Sequence, residues 1–300
     1  MLYSLARRNH LARGDSMLTR APALRESLEG TDALARTGSM EARFAQSADD
    51  VRRAQELRYR VFYQEGRAIA DARTRIAGRD ADAFDAICDH LLVIDHAPAP
   101  ETRLLAPAVV GTYRLLRQEI AARHNGFYSQ AEFAIGELTA RHPGLRFLEL
   151  GRSCVLEPYR NKRTLELLWH GIGHYTMQHR PDVMMGCASL EGTDPDQLAL
   201  QLSFLHHFAG APEKWRASAL PDRAVEMNRM AKETIDQKEA LRLLPPLIKG
   251  YLRLGACIGN GAVIDHQFGT TDVLIVLPVA EIKTKYVAYF HPNGRLEAAS

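Results

Sequence analysis

At 300 residues, 46% hydrophobic and 25% charged, the chain has the composition of a globular protein with one large core plus decoration. A formal net charge of +2 gives nucleic-acid binding no support, and the longest apolar run, VLIVLPV at 273–279, is far too short to span a bilayer. Cys88, Cys154, Cys187 and Cys257 lie far apart without a CxxC pair, which argues for reduced core thiols in a cytoplasmic protein.

Residues 1–45 stand apart. Arg7, Arg8, Arg13, Arg20 and Arg25 face a single acid, Asp15, and no continuous apolar core of the secretory kind is present. A flexible basic extension is expected, with peripheral contact to an anionic inner-membrane surface as the competing reading. A helix follows over Asp49–Glu65, where Val51, Ala54, Leu57 and Val61 recur at helical spacing. CDHLLVID (88–95) and AVVGTYRLLR (108–117) read as an antiparallel strand pair, separated by the APAP break at 97–100. Residues 118–145 read as a helical insertion ending at Pro143-Gly144.

The next segment carries the most information. Phe147–Leu156 reads as a buried strand, Glu157–Arg163 as a basic turn, and a helix opens at Thr164. The strand holds Glu149 and Arg152, charges that a packed sheet does not tolerate without partners. Arg160, Lys162 and Arg163 precede a helix N-terminus, where basic side chains oppose the helix dipole unless an anion compensates. A solvated loop is the plain alternative. A strand over Val183–Leu190 makes the preceding helix a parallel crossover. Helices over Pro195–His207 and about Leu243–Leu254 follow, then strands AVID (262–265) and DVLIVLPV (272–279). The order describes an α/β protein with a mixed, largely antiparallel central sheet and helices on both faces. The main domain is expected over 46–290, with a tail over 291–300.

Other motifs carry less. His90 and Asp95 match an HxxxxD pattern, but residues five apart in a strand point to opposite faces. His170 and His174 have metal-ligand spacing without the glutamate of HExxH or a completing acid, so no metal is expected. GxSxG does not occur, leaving a serine hydrolase without support.

Laid out this way, the chain resembles the GNAT superfamily of N-acyltransferases and, within it, the L-ornithine Nα-acyltransferases. The resemblance covers about residues 49–290 and rests on LRYRVFYQEG, FLELGRSCVLEPYR, GTDPDQ, LPPLIKGYLRLGACIG and AVIDHQFGTTDVLIVLP. It implies transfer of a 3-hydroxyacyl chain from acidic acyl carrier protein to the α-amine of L-ornithine, the first step of ornithine lipid synthesis. The phosphopantetheine thioester is then a co-substrate, and no bound cofactor is expected.

The arrangement is also similar to that of acyl-homoserine-lactone synthases, which use S-adenosylmethionine. Their pattern is met by Arg58, Phe62, Asp82, Asp85, Arg114, Glu149 and Arg152, but their tryptophan after the first helix is missing between Phe62 and Asp85. A non-catalytic carrier-protein-binding module is the third reading. RNKRTL lacks the glycines of the superfamily's usual donor turn, which shifts donor binding to Arg160, Lys162, Arg163 and Thr164. Where many relatives place a tyrosine to protonate the leaving thiolate, this chain has Phe204, with His206 or a water as substitutes.

Amide formation from a thioester needs a free amine, a base and a stabilised oxyanion. Glu149 is the expected base, beside Arg152. Three residues apart, they fall on opposite faces of an ideal strand, and Gly151 between them predicts a bulge that turns both toward one cleft. The competing reading is a structural ion pair bracing the first helix through Arg58 or Asp85. For the acceptor, Arg114 or Arg152 is expected at the ornithine carboxylate and Asp265 or Asp272 at its second ammonium.

Overall fold

The computed structural model describes residues 33–282. Strands β1 (Ala35–Thr37) and β2 (Met40–Phe44) lead into helix α1 (Ala48–Tyr59), which loosens into a π-helical turn over Arg60–Glu65 before the short α2 (Ala72–Ala77). Then come β3 (Asp89–Asp95), β4 (Ala108–Arg117), α3 (Gln118–Ala121) and α4 (Ile135–Ala140). The central unit is β5 (Phe147–Val155), α5 (Lys162–His179) and β6 (Val183–Glu191). The remainder is α6 (Ala199–Ala209), β7 (Ala224–Val225), α7 (Gln237–Leu243), α8 (Pro246–Leu254), β8 (Cys257–Asp265) and β9 (Thr270–Pro278).

All the described strands join one sheet in the order β1-β2-β3-β4-β5-β6-β9-β8-β7. Each pairing is antiparallel except β5 with β6, where the α5 crossover makes the strands parallel. Side chains alternate across the pleat, so the sheet has two apolar faces. Leu91, Val93, Leu148 and Leu150 meet Leu167, Leu168 and Ile172 of α5 and Leu202 of α6 on one. Leu116, Phe147, Val183 and Met185 meet Ala121 of α3, Leu138 of α4 and Trp215 on the other. Truncating a leucine such as Leu148 to alanine in either layer costs about 2–5 kcal/mol.

The decisive irregularity lies at the centre. β5 and β6 pair only at Phe147↔Val183, Leu148↔Met184 and Glu149↔Met185, and then part. Gly186 marks the parting: a Cβ there would sit 2.1 Å from the Leu150 carbonyl oxygen, so the closest approach of the two backbones admits only glycine. Beyond this point β5 continues along β4 and β6 along β9, leaving a wedge between them.

Several expectations change. Residues 35–44, assigned to a flexible extension, form β1 and β2, because pairing with β3 buries Met40 and Ala42 while Arg36 and Arg43 find acidic partners. Residues 1–32 and the proposed tail 291–300 lie outside the described residues. α5 begins two residues before the predicted Thr164, because Asn161 rather than a later residue caps it. α7 and β7 were not anticipated, and the strand read as 262–265 begins at Cys257.

Candidate active site

Six predicted or neighbouring charges meet beside the wedge. Arg58, fully buried on α1, donates from Nε to Asp80 Oδ2 at 2.8 Å and from Nη2 to both Asp85 oxygens at 2.9 and 2.8 Å, and also reaches the Asp80 carbonyl. Arg114 of β4 donates to Asp82 at 2.6 Å and Asp85 at 3.2 Å. Arg152 of β5 lies 3.2 Å from Asp80 and 3.4 Å from Asp82. Burial alone would raise the Asp85 carboxyl, but the two arginines Arg58 and Arg114 outweigh it and hold the group down at about 2. Asp82 and Asp85 also close a capping box on the turn Ala83–Ala86, which fixes the acids before any ligand arrives.

Arg152 departs from its strand. Arg114 pairs with Gly151 and Thr112 with Cys154, so Arg152 and Ser153 together oppose Tyr113 in a bulge. The residue in left-handed conformation within the bulge is Arg152 itself, φ +49°. A conformation that costs an arginine about 1–2 kcal/mol is held because the guanidinium is clamped. It lies 4.6 Å over the Tyr128 ring and 5.0 Å over that of Phe268. Phe62, on the π-helical turn, meets Phe268 edge-on at 5.6 Å, so the first helix and the β8–β9 turn share one aromatic frame.

Glu149 anchors a turn. Its Oε2 accepts from Tyr128 N at 2.8 Å, and its Oε1 from Ser129 N at 2.7 Å and Ser129 Oγ at 2.6 Å. At 4% exposure it holds the Tyr128–Ala131 turn. Glu149 and Arg152 do converge, but on Tyr128, one through its backbone and the other over its ring. Of the two charges, Arg152 joins the ion pairs that brace α1, through Asp80, which it shares with Arg58, while Glu149 serves backbone N–H groups instead.

The donor turn divides. Arg160 donates to the Val155 carbonyl at 3.0 Å and to Glu65 at 2.6 Å, tying the end of β5 to the π-helical turn. Lys162 and Arg163 are exposed at the start of α5, Lys162 with Glu166 at 3.5 Å. Thr164 is corrected: it is fully buried, against Gly111 and Met40, so its side chain cannot meet a donor.

Two openings surround this frame. The wedge itself is a narrow slot lined by Leu150, Met184, Met185, Leu247 and Ile275, with Arg152 and Cys187 at its polar side. A wider cleft of about 710 Å³ lies beyond Tyr128, lined by Glu132, Arg223 and Asp265 among others. Carboxylate oxygens of Glu132, Asp265 and Asp272 all lie within 4.8 Å of one another. Asp265 accepts from Gln267 N and Phe268 N at 2.8 and 3.0 Å, shaping the turn that carries Phe268. Burial, then the neighbouring Asp272, pushes the Glu132 carboxyl up; burial likewise raises Asp272 despite hydrogen bonds from Ser189 and Thr270. Cys187 of the slot is the link toward the cleft: its thiol lies 3.4 Å from both Ser129 Oγ and Glu132 Oε2, and Glu132 lines the cleft.

Sequence reasoning missed Asp80, Tyr128 and Glu132. No local pattern marks them, since an acid in a loop reads as solvated surface. His206 does not line the slot, and Phe204 is buried and stacks on Phe208.

A family model described as an acetyltransferase (GNAT) domain matches residues 57–170, the stretch from α1 through the wedge strand to α5. Fold and site together define a GNAT-type acyltransferase. The L-ornithine N(alpha)-acyltransferases of Agrobacterium fabrum and Rhizobium meliloti are each 52% identical to the chain, over 85% of it and 86% of the former protein, and 87% of it and 87% of the latter. The chain belongs to this L-ornithine N(alpha)-acyltransferase family. An N-acyl amino acid synthase from uncultured soil microbes aligns over 81% of this chain and 92% of its own at 9% identity, but its TM-score of 0.44 is too low to carry weight. Among the described residues, no helix is long and apolar enough to cross a membrane.

Proposed function

We propose that the protein transfers a 3-hydroxyacyl chain from acyl carrier protein to the α-amine of L-ornithine, giving lyso-ornithine lipid. One observation carries the reading: Cys187 of the apolar slot lies 3.4 Å from Glu132 of the acid-lined cleft, so a fatty thioester on one side and a cationic amine on the other would be brought close together. Family membership supports ornithine as the acceptor.

In this reading the acyl chain enters the wedge between β5 and β6, with its carbonyl near the last paired residues, Glu149 and Met185. Ornithine lies in the cleft, its side-chain ammonium beside Asp265 and Asp272 and its carboxylate toward Arg152. Glu132, held near the junction and raised by burial, takes the base role first expected of Glu149. Glu149 instead positions the Tyr128–Ser129 backbone. The amine nitrogen attacks the thioester carbon, the C–S bond breaks, and the proton given up by nitrogen leaves with the carrier thiol. Most of the acceleration comes from holding the two substrates together.

The carrier protein docks on Arg160, Lys162 and Arg163. Arg180, at the far end of α5, is separated from that turn by roughly 27 Å of helix and makes no common patch with it. The charge network of Arg58, Asp85 and Arg114 serves the acceptor site by locking Arg152.

The test incubates purified protein with 3-hydroxyacyl carrier protein and either ornithine or S-adenosylmethionine, with products read by mass spectrometry. Lyso-ornithine lipid is expected. A lactone, or an acylated amine other than ornithine, overturns the reading.

A further inference from the structure

We propose that helices α7 and α8 form a docking surface for an anionic lipid bilayer, set behind the α8 wall of the apolar slot. The surface is argued from its own residues. Only its use, handing an amphiphilic product to the membrane, rests on the reading of the slot as the acyl channel.

α8 has two contrasting faces. Ile248, Tyr251 and Leu254 are buried, and Leu247 and Tyr251 line the slot. Lys249 and Arg253, one helical turn apart, turn the other way. With Leu252, and with Leu241 and Arg242 of α7, they line an open groove of about 490 Å³. Leu241 and Leu243 are each 41% exposed. Residues 237–254 set Lys238, Arg242, Lys249 and Arg253 against a single acid, Glu239, and Arg242 takes both of its oxygens at 2.7 and 2.6 Å. Lys249 donates to the Arg242 carbonyl at 3.3 Å, and among the described residues neither Lys249 nor Arg253 has a carboxylate partner.

Exposed leucines between unneutralised basic side chains suit anionic lipid. The apolar groups enter the acyl boundary, while Lys and Arg reach phosphates on long aliphatic stems. The chain's own C-terminal segment is a poor occupant of the groove. Beyond Glu281, whose carbonyl oxygen lies 3.0 Å from where a Cβ of Gly255 would stand, the sequence carries Lys283, Lys285 and Arg295 against Glu297. Like charge opposes its docking there and adds to the pull toward an anionic surface. An acidic protein would match the charge as well. The bilayer is favoured because the helix that bears the groove also walls the slot, so docking places an apolar channel beside hydrocarbon.

The experiment is flotation of the full chain with phosphatidylethanolamine vesicles, alone or with about 30% phosphatidylglycerol. Binding is expected with the anionic vesicles only, and it should weaken as salt rises. Lys249→Gln and Arg253→Gln, each checked for an unchanged melting profile, are expected to weaken it about fivefold apiece. Leu241→Ser, which tests the apolar part, is expected to act by a similar factor. Arg123→Gln removes the same charge just after α3, in the opposite layer, and is expected to leave binding unchanged. Absent binding, equal binding to both vesicles, or an equal loss in Arg123→Gln overturns the surface. Unchanged binding by both α8 variants also overturns it, and a raised KM for acyl carrier protein in them would then give the groove to that protein. Flotation reads no acyl transfer, so a wrong donor or acceptor would sink the proposed function and leave these outcomes as they are.

Discussion

Two charged neighbourhoods flank Tyr128, and they are built on opposite rules. On one side Arg58, Arg114 and Arg152 are matched against Asp80, Asp82 and Asp85, every acid within hydrogen-bonding or ion-pair reach of an arginine. On the other, Glu132, Asp265 and Asp272 crowd together with Arg223 at 3.6 Å from Glu132 as the nearest cation among the described residues. Arg58 and Arg114 overcome burial and hold Asp85 down, whereas burial, with a neighbouring acid adding to it, pushes Glu132 and Asp272 up. Charge balance thus distinguishes the two: a closed network fixes Arg152, and the cleft proposed for the cationic acceptor carries a surplus of carboxyl groups.

The contrast breaks most visibly at Asp85. Asp85→Asn leaves Arg58 and Arg114 short of a counter-ion in a buried setting and is expected to cost about 3–5 kcal/mol in urea unfolding. A loss below about 1 kcal/mol would mean that the network is not a scaffold. Because the folded carboxyl is held down, its contribution is present above the ordinary carboxylate range and is lost as pH falls toward about 2. The same variant should therefore show a flattened acid limb in a pH–stability series.

Removal of negative charge from the cleft should act on binding instead. Asp265→Asn and Asp272→Asn are expected to raise KM for ornithine by about tenfold each, roughly 1.4 kcal/mol, with a smaller effect on a monoamine acceptor. Equal effects on both amines would remove the ammonium assignment.

The pH dependence of the cleft runs the other way from that of Asp85. Protonated Asp272 favours the folded state below its unfolded value, and that contribution is lost as pH rises through the raised folded value. Asp272→Asn should then raise the melting temperature at neutral pH, the gain shrinking in acid. A destabilised variant at neutral pH would show that hydrogen bonds from Thr270 and Ser189 outweigh repulsion.

The smallest effect is expected at the rim. Arg163→Glu should raise the apparent KM for acyl carrier protein by about three- to tenfold, most at low salt, and leave KM for ornithine unmoved. An unchanged KM for the carrier protein would detach the basic turn from donor docking.

The β5–α5–β6 unit was legible because its signals are local. An apolar strand run, a short basic turn and an apolar helical face lie within one stretch, and a parallel crossover follows from their order, although the Asn161 cap that sets the helix start was missed. That Glu149 and Arg152 carried unusual charge was equally plain. Their duties were not, because a strand sequence does not say which distant backbone N–H groups lack partners, and Glu149 serves those of Tyr128 and Ser129. Thr164 misled for a related reason: at a helix start it reads as polar surface, while the sheet below turns it into the core.

By itself the sequence determined the order of the main strands and helices from α1 to α6 and the final strand, the buried charges on the wedge strand and the basic turn beside it, since these depend on side-chain periodicity and local charge. Only the tertiary structure decided that β5 and β6 part after Glu149, that Arg152 takes the strained conformation, and that Glu132 gathers with Asp265 and Asp272. Those features arise where backbones separated by many residues approach or diverge, and the resulting mismatches of space and charge are properties of the assembled sheet.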